Sequence, residues 1–269
     1  TTSILAFFFL HACEPQTATD PETEAILAVK SYTTDELGVL AAAAAALQSA
    51  APTPDADGWD STEAAGIESA WKKARTSYEK VEGAIAVLFP ELDAATDERY
   101  DGFISEAADD YLFDGDGVTG VHGIERIVWA NRHPAWVVEF ESALPGYTPA
   151  AFPATEAESL AFRDGLCQQL VDDTASMRDQ FEPLALDSAA AFRGVIASVS
   201  EQIEKVNLAS TGEDESRYAQ FTLADMRANL DGGIATFDAF APWIASVDGG
   251  PALSDEVYAG FDRVQAAYD

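Results

Sequence analysis

Apolar residues recur along this chain at helical spacing and almost never alternate at the spacing of two that marks a half-buried strand. Ile26, Leu27, Tyr32, Leu37 and Leu40 form one side of a helix predicted over residues 24–51, stopped by the Pro52-Thr53-Pro54-Asp55-Ala56-Asp57-Gly58 cluster. A second long helix is predicted from Ser61, in the N-cap-like context Ser-Thr-Glu, to about Leu88, just before Pro90. Further helices are expected over 96–111, around His122, and over 155–181, 187–208, 216–243 and 254–268. The acidic turn Phe113-Asp114-Gly115-Asp116-Gly117 precedes the His122 helix. Residues 131–153, rich in Pro, Gly and aromatics, read as a long ordered excursion, with short strand pieces expected at most near 137–140. The fold class is therefore all-α: about eight helices with mostly short connections, as in stacked or fused helical bundles. No internal repeat is evident.

The N-terminus has a different pattern. Ile4-Leu5-Ala6-Phe7-Phe8-Phe9-Leu10 is apolar but too short for a bilayer, which needs about 20 residues. It runs into Leu10-His11-Ala12-Cys13 and then the polar Glu14-Pro15-Gln16-Thr17. Apolar core, small residue, cysteine and polar tail form the pattern of a secretory signal, and the cysteine resembles a bacterial lipobox. The expectation is a signal remnant over 1–12, lipidation at Cys13, a tether over 13–24, and a helical domain over 25–269 whose two bundles meet near 131–155. A buried apolar segment is the competing reading. Acyl chains at about 0.8 kcal/mol per buried methylene would anchor such a protein to the membrane of the cell envelope, periplasmic or surface-exposed. With Cys13 lipidated, Cys167 is alone. Neither a disulfide within the chain nor a cysteine metal site can then form.

Charge narrows the partners. With 47 acidic against 15 basic residues, a net −32, the chain lacks the basic surface that phosphate binding requires, which excludes nucleic acid. Such a field concentrates cations. It also suits solubility in a saline environment, so a metal site has to rest on particular side chains.

Two carboxylate-bearing patterns supply them. In Gly120-Val121-His122-Gly123-Ile124-Glu125, His122 and Glu125 lie three apart and so share a helix face, where they can grip one cation or share one proton. A part-buried histidine bonded to its neighbour gives the same pattern. Of the other histidines, His11 lies in the apolar N-terminal run and His133 directly precedes Pro134. Glu79 and Glu82 repeat the spacing on the second helix beside Tyr78 and Val81. If they face inward, their mutual repulsion calls for a cation or proton between them; if outward, they are a solvated face.

In order along the chain, Trp71…Ala74-Arg75…Tyr78-Glu79-Lys80-Val81-Glu82, Glu91-Leu92-Asp93…Asp97-Glu98-Arg99 and Gly120-Val121-His122-Gly123-Ile124-Glu125…Trp129 resemble the imelysin family, and within it an iron-uptake branch. A later block, Lys205-Val206…Thr211-Gly212-Glu213-Asp214-Glu215-Ser216-Arg217-Tyr218…Asp225-Met226-Arg227-Ala228-Asn229, is similar to the same branch. The resemblance implies an exported protein of two helical bundles that takes part in acquiring iron or another divalent metal together with membrane transport components. It also implies a metal site built from Glu79, Glu82, Asp97, His122, Glu125, and Glu213 or Glu215. One extra residue before Arg217-Tyr218 leaves open which of those last two reaches the site. Gln220-Phe221-Thr222 stands where the family has His-Thr-Asp, and residues 131–153 form a longer excursion than in that branch. Oxygen donors with one imidazole suit Fe, Zn or Mn. Two alternatives stand beside metal acquisition. One is a metal-dependent peptidase, which would need an open water position on the metal and here lacks an H-E-x-x-H. The other is a non-catalytic polysaccharide or protein interaction module using Trp59, Trp71, Trp129, Trp136 and Trp243.

Overall fold

The structure, a computed structural model, describes residues 20–53, 55–105 and 107–269. Cys13 and the apolar run before it lie outside the described residues. All regular structure among the described residues is helical.

Helix α1 (Pro21–Ala50) opens with Asp20 accepting the Thr23 amide, Pro21 in the first turn and Glu22 and Glu24 at the positive end of the dipole. Its buried stripe is Ala25, Val29, Thr33, Leu37, Leu40, Ala44 and Leu47, spaced three or four apart. Helix α2 (Ser61–Leu88) keeps the expected bounds, but Asp60 is its cap. The Asp60 carboxylate accepts the Thr62 and Glu63 amides while Glu63 reaches back to the Asp60 amide, closing a capping box.

The helix expected over 96–111 is not there. In its place, α3 (Pro90–Asp97) ends where Glu98 turns extended, a single turn α4 (Tyr100–Phe103) follows, and irregular chain leads to α5 (Gly120–Val128). The short strand pieces near 137–140 are also corrected: these residues lie in α6 (Ala135–Ser142), started by Pro134, with Val137 packed into the core. The helix over 155–181 is continuous but not uniform, with α7 (Glu156–Ala161), a π turn over Phe162–Leu166 and α8 (Cys167–Phe181) in succession. Helices α9 (Ser188–Leu208), α10 (Thr222–Ala245) and α11 (Gly250–Tyr268) complete the chain. Here α10 starts six residues later than expected, because residues 216–221 wrap around a buried carboxylate described below.

Helices α1 and α2 pair along their length, with α8 on α1, α9 and α10 on α2 and on each other, and α11 on α10. One apolar cluster joins Ala44 and Leu47 of α1, Ile67 and Trp71 of α2, Ile124 and Ile127 of α5, and Leu166 and Leu170. At the other end, Ala25 and Val29 meet Ala191 and Phe240, and Val195, Leu230, Phe237 and Phe261 pack nearby. Between these apolar ends, α2 turns a polar face inward.

Two contacts fix α5 against this framework. The Trp71 indole donates to the Val121 carbonyl at 2.8 Å. Gly120 has φ +72°, and a Cβ there would lie 2.2 Å from the Thr96 carbonyl oxygen, so the start of α5 presses directly on the end of α3. Only glycine satisfies both demands. This approach brings His122 beside Asp97. No helix among the described residues is long and apolar enough to cross a membrane.

A candidate metal centre built on internal cations

Arg75, Glu79 and Glu82 succeed one another at intervals of four and three on α2, and all three side chains are buried. Asp97 arrives from the end of α3, His122 and Glu125 from α5, Lys205 from α9, Glu215 from the segment before α10, and Asp225 and Asn229 from α10. Glu79 and Glu82 face inward, and the cation expected between such a pair is supplied from within the chain. Lys205 Nζ stands 2.9 and 2.8 Å from the two Glu79 oxygens, 3.0 Å from Glu82 Oε2 and 3.0 Å from Glu215 Oε2. Arg75 forms close ion pairs with Glu79 and Asp97, and reaches Glu215 Oε1 at 3.2 Å and Asp225 Oδ2 at 3.3 Å. Asn229 donates to Glu82, and Ser216 to Asp225.

Of the two register alternatives, Glu215 reaches the cluster and Glu213 does not. Glu213 is exposed, its amide bonded to Thr211 Oγ1 at 3.1 Å. The segment is held by Arg217, which donates to the Asp214 and Gly212 carbonyls at 2.7 Å each and to Asp101 at 2.6 Å. That brace swings Glu215 inward.

Glu125 takes a different part from the one its spacing implies. One oxygen accepts the Tyr218 and Ala219 amides at 3.0 and 2.7 Å; the other faces His122 Nδ1 at 2.8 Å. These amides are why residues 216–221 wrap instead of extending α10: their N–H groups are satisfied by a carboxylate. With Glu125 ionised, its second oxygen accepts from the imidazole, so that Nδ1 carries the proton and Nε2 presents its lone pair. Nε2 is buried, without a hydrogen-bond partner, and 3.3 Å from Asp97 Oδ1. Two acceptors facing each other at that distance call for a proton or a cation between them.

Electrostatics say the same. Burial keeps His122 neutral, lowering its pKa against the pull of Glu125. Burial pushes Glu79 and Asp97 well up, Glu82 to about 8 and Asp225 to about 7, despite Arg75 and Lys205. Burial would raise Glu215 too, but Lys205 and Arg75 prevail and hold it at about 2. The cluster thus has more carboxylates than its two cations neutralise, and burial makes it hold protons. Donor atoms of Asp97, His122 and Glu215 lie within 4.8 Å of one another, as do those of Glu79, Glu82, Asp97 and Glu215. A cleft of about 250 Å³, lined by Glu82, Asp93, Asp97, Glu98, Glu201, Glu204 and Glu215 among others, leads to this face.

His133 stays apart. Its ring lies on Tyr218 with centroids 4.3 Å apart, its Nε2 faces the Arg126 carbonyl at 2.9 Å, and burial drops its pKa to about 4. Trp59, Trp71 and Trp129 are core residues, and Trp136 and Trp243 are half-buried. Cys167 is a free, buried thiol whose pKa burial raises.

Fold and cluster together define an all-helical protein whose interior gathers carboxylates and one imidazole around internal cations. The chain belongs to the imelysin family, whose sequence profile matches residues 29–269. Among curated proteins it is similar to "Iron uptake system component EfeO" of Escherichia coli K12, of Shigella flexneri and of Shigella sonnei. Each is 24% identical over 208 residues, covering 76% of this chain and 45% of the relative. The chain spans less than half the length of these relatives.

Proposed function

We propose that this protein is an exported component of iron, or other divalent metal, acquisition. It binds the cation between helices, chiefly through Asp97, His122 and Glu215, with Glu79 and Glu82 adjacent and Glu125 orienting the imidazole. The observation that carries the reading is the buried, unpartnered His122 Nε2 facing Asp97 beside Glu215. The names of the EfeO relatives support iron as the cargo, and a hard oxygen set with one imidazole favours Fe, with Zn and Mn the alternatives. The acidic cleft is the route of entry and attracts cations. Delivery is to membrane transport components, and lipid on Cys13 holds the protein at the envelope.

Calorimetry with Fe(II), Zn(II) and Mn(II) tests the site. His122→Ala removes the sole nitrogen donor and should weaken binding at least about tenfold, or 1.4 kcal/mol. Metal should raise the melting temperature of the parent protein by mass action, and much less in the variant. Equal affinities would make this histidine structural and end the assignment. Cys13→Ser should release the protein from membranes with unchanged helix content; its recovery in salt-washed membranes would contradict the anchor.

A further inference from the structure

Lys205 is only 2% exposed, yet it is surrounded as a small cation is. Its Nζ has five carboxylate oxygens within 3.3 Å, two each from Glu79 and Glu82 and one from Glu215. An ammonium has three protons to donate, so five oxygens exceed what its hydrogen bonding can use. All-oxygen surroundings are the donor chemistry of a hard metal cation, which takes six or more such ligands. Glu79, Glu82 and Glu215 are also three of the four carboxylates whose donor atoms converge closely enough to hold a metal, Asp97 being the fourth. Ammonium and metal cannot both have them.

We infer that Lys205 is a tethered competitor for the cargo: the arriving metal takes Glu215 and its neighbours, and the ammonium moves out into the acidic cleft. This rests on the metal-binding reading above. The cleft has carboxylates to receive it. Glu201 lies one helical turn before Lys205 on α9, the spacing at which glutamate and lysine side chains pair, and Glu204 lines the same wall. The four-carbon stem of lysine allows the exchange by side-chain rotation, with α9 staying in place. Arg75, forked across Glu79, Asp97, Glu215 and Asp225, stays as the fixed cation. Loading then swaps one positive group for another among buried carboxylates. Because the competitor is covalently attached, its effective concentration at the site is about millimolar or higher whatever the surroundings. That lowers affinity and hastens release, which suits a protein that hands its cargo on.

The test labels lysines of the full chain with an amine-acetylating reagent, with chelator or with saturating Zn(II), and reads each site by peptide mass spectrometry. Calorimetry on the same samples reports whether Zn(II) binds. Acetylation of Lys205 should rise at least tenfold with metal, while Lys72 and Lys73 change little. Metal binding with Lys205 still protected overturns the exchange and leaves the metal site standing; no binding at all overturns both. Lys205→Met, provided its circular dichroism matches the parent, should bind Zn(II) at least tenfold more tightly and release it more slowly. Equal or weaker affinity would contradict the inference.

Discussion

Glu125 offers the sharpest perturbation, because two substitutions separate its two tasks. Glu125→Ala leaves the Tyr218 and Ala219 amides and the imidazole Nδ1–H without their acceptor in a buried site. An orphaned buried polar group costs roughly 1–3 kcal/mol, so about 4 kcal/mol is expected once partial relaxation is allowed for. At roughly 2–4 °C per kcal/mol for a chain near this size, the melting temperature should fall by about 10 °C. Glu125→Gln preserves volume. Its amide oxygen can keep both backbone N–H groups, while its NH₂ then faces Nδ1 and donates. The imidazole must accept there and carry its proton on Nε2, the atom that faces Asp97 at 3.3 Å. Stability should change by about 1 kcal/mol, but the lone pair is lost to the metal, and a 10–100-fold drop in affinity is the usual scale for removing such an orienting partner. Thermal melts with chelator measure the first effect and Zn(II) calorimetry the second. Nitrogen-15 shifts of the His122 ring report the tautomer directly. If Glu125→Gln binds metal within threefold of the parent, the orienting role is wrong.

Two other outcomes follow from the same structure. Gly120→Ala combines a left-handed φ with a contact to the Thr96 carbonyl that a Cβ cannot make, so urea unfolding should show a loss of about 3 kcal/mol or more; a loss under 1 kcal/mol would mean that α5 shifts freely. In the chelated protein, stability should fall as pH rises from about 5 to 8. Glu82, at about 8, and Asp225, at about 7, sit above ordinary carboxylate values near 4, so the folded state holds protons that the unfolded state has released. Their contribution is complete below the unfolded pKa and is lost as pH climbs through the folded one. Glu215, at about 2, works oppositely, its contribution vanishing only in strong acid. Metal affinity should rise over the same window in which stability falls, and a melting temperature flat from pH 5 to 8 would contradict the buried-proton picture.

Patterns of period and punctuation made most of the framework legible. The bounds of α2, the break at 52–58 and the continuity through 155–181 all follow from local sequence. Strong local signals are enough where a helix has a long apolar stripe. Residues 96–111 depart from the helix expected there because their organiser is tertiary: Asp97 is drawn to Arg75 and His122, and Glu98 leaves the helix. Residues 216–221 misled for a related reason, since no local rule anticipates a carboxylate 93 residues away capping their amides. The spacing of Glu79 and Glu82 left an inward pair and a solvated face both open, and their burial is a tertiary fact; His122 stood out by scarcity. Arg75, Lys205 and Asp225 were overlooked as parts of the cluster, although each stands in a block of family resemblance. Arg75 four residues before Glu79 was the available sign, in a chain with few basic residues to spend on its interior.

The distance at which Glu125 meets Tyr218 and Ala219 also bears on when the cluster comes into being. His122 and Asp97 belong to the first half of the chain, but Lys205, Glu215 and the amides that hold Glu125 come from the second. A chain emerging from synthesis therefore presents isolated carboxylates and a loosely held imidazole until residues past 219 have folded back onto α5. Contacts between residues so far apart in sequence form more slowly than local ones. The cluster thus closes late, and a cation bound there at full strength would certify that both halves of the molecule have been made and joined.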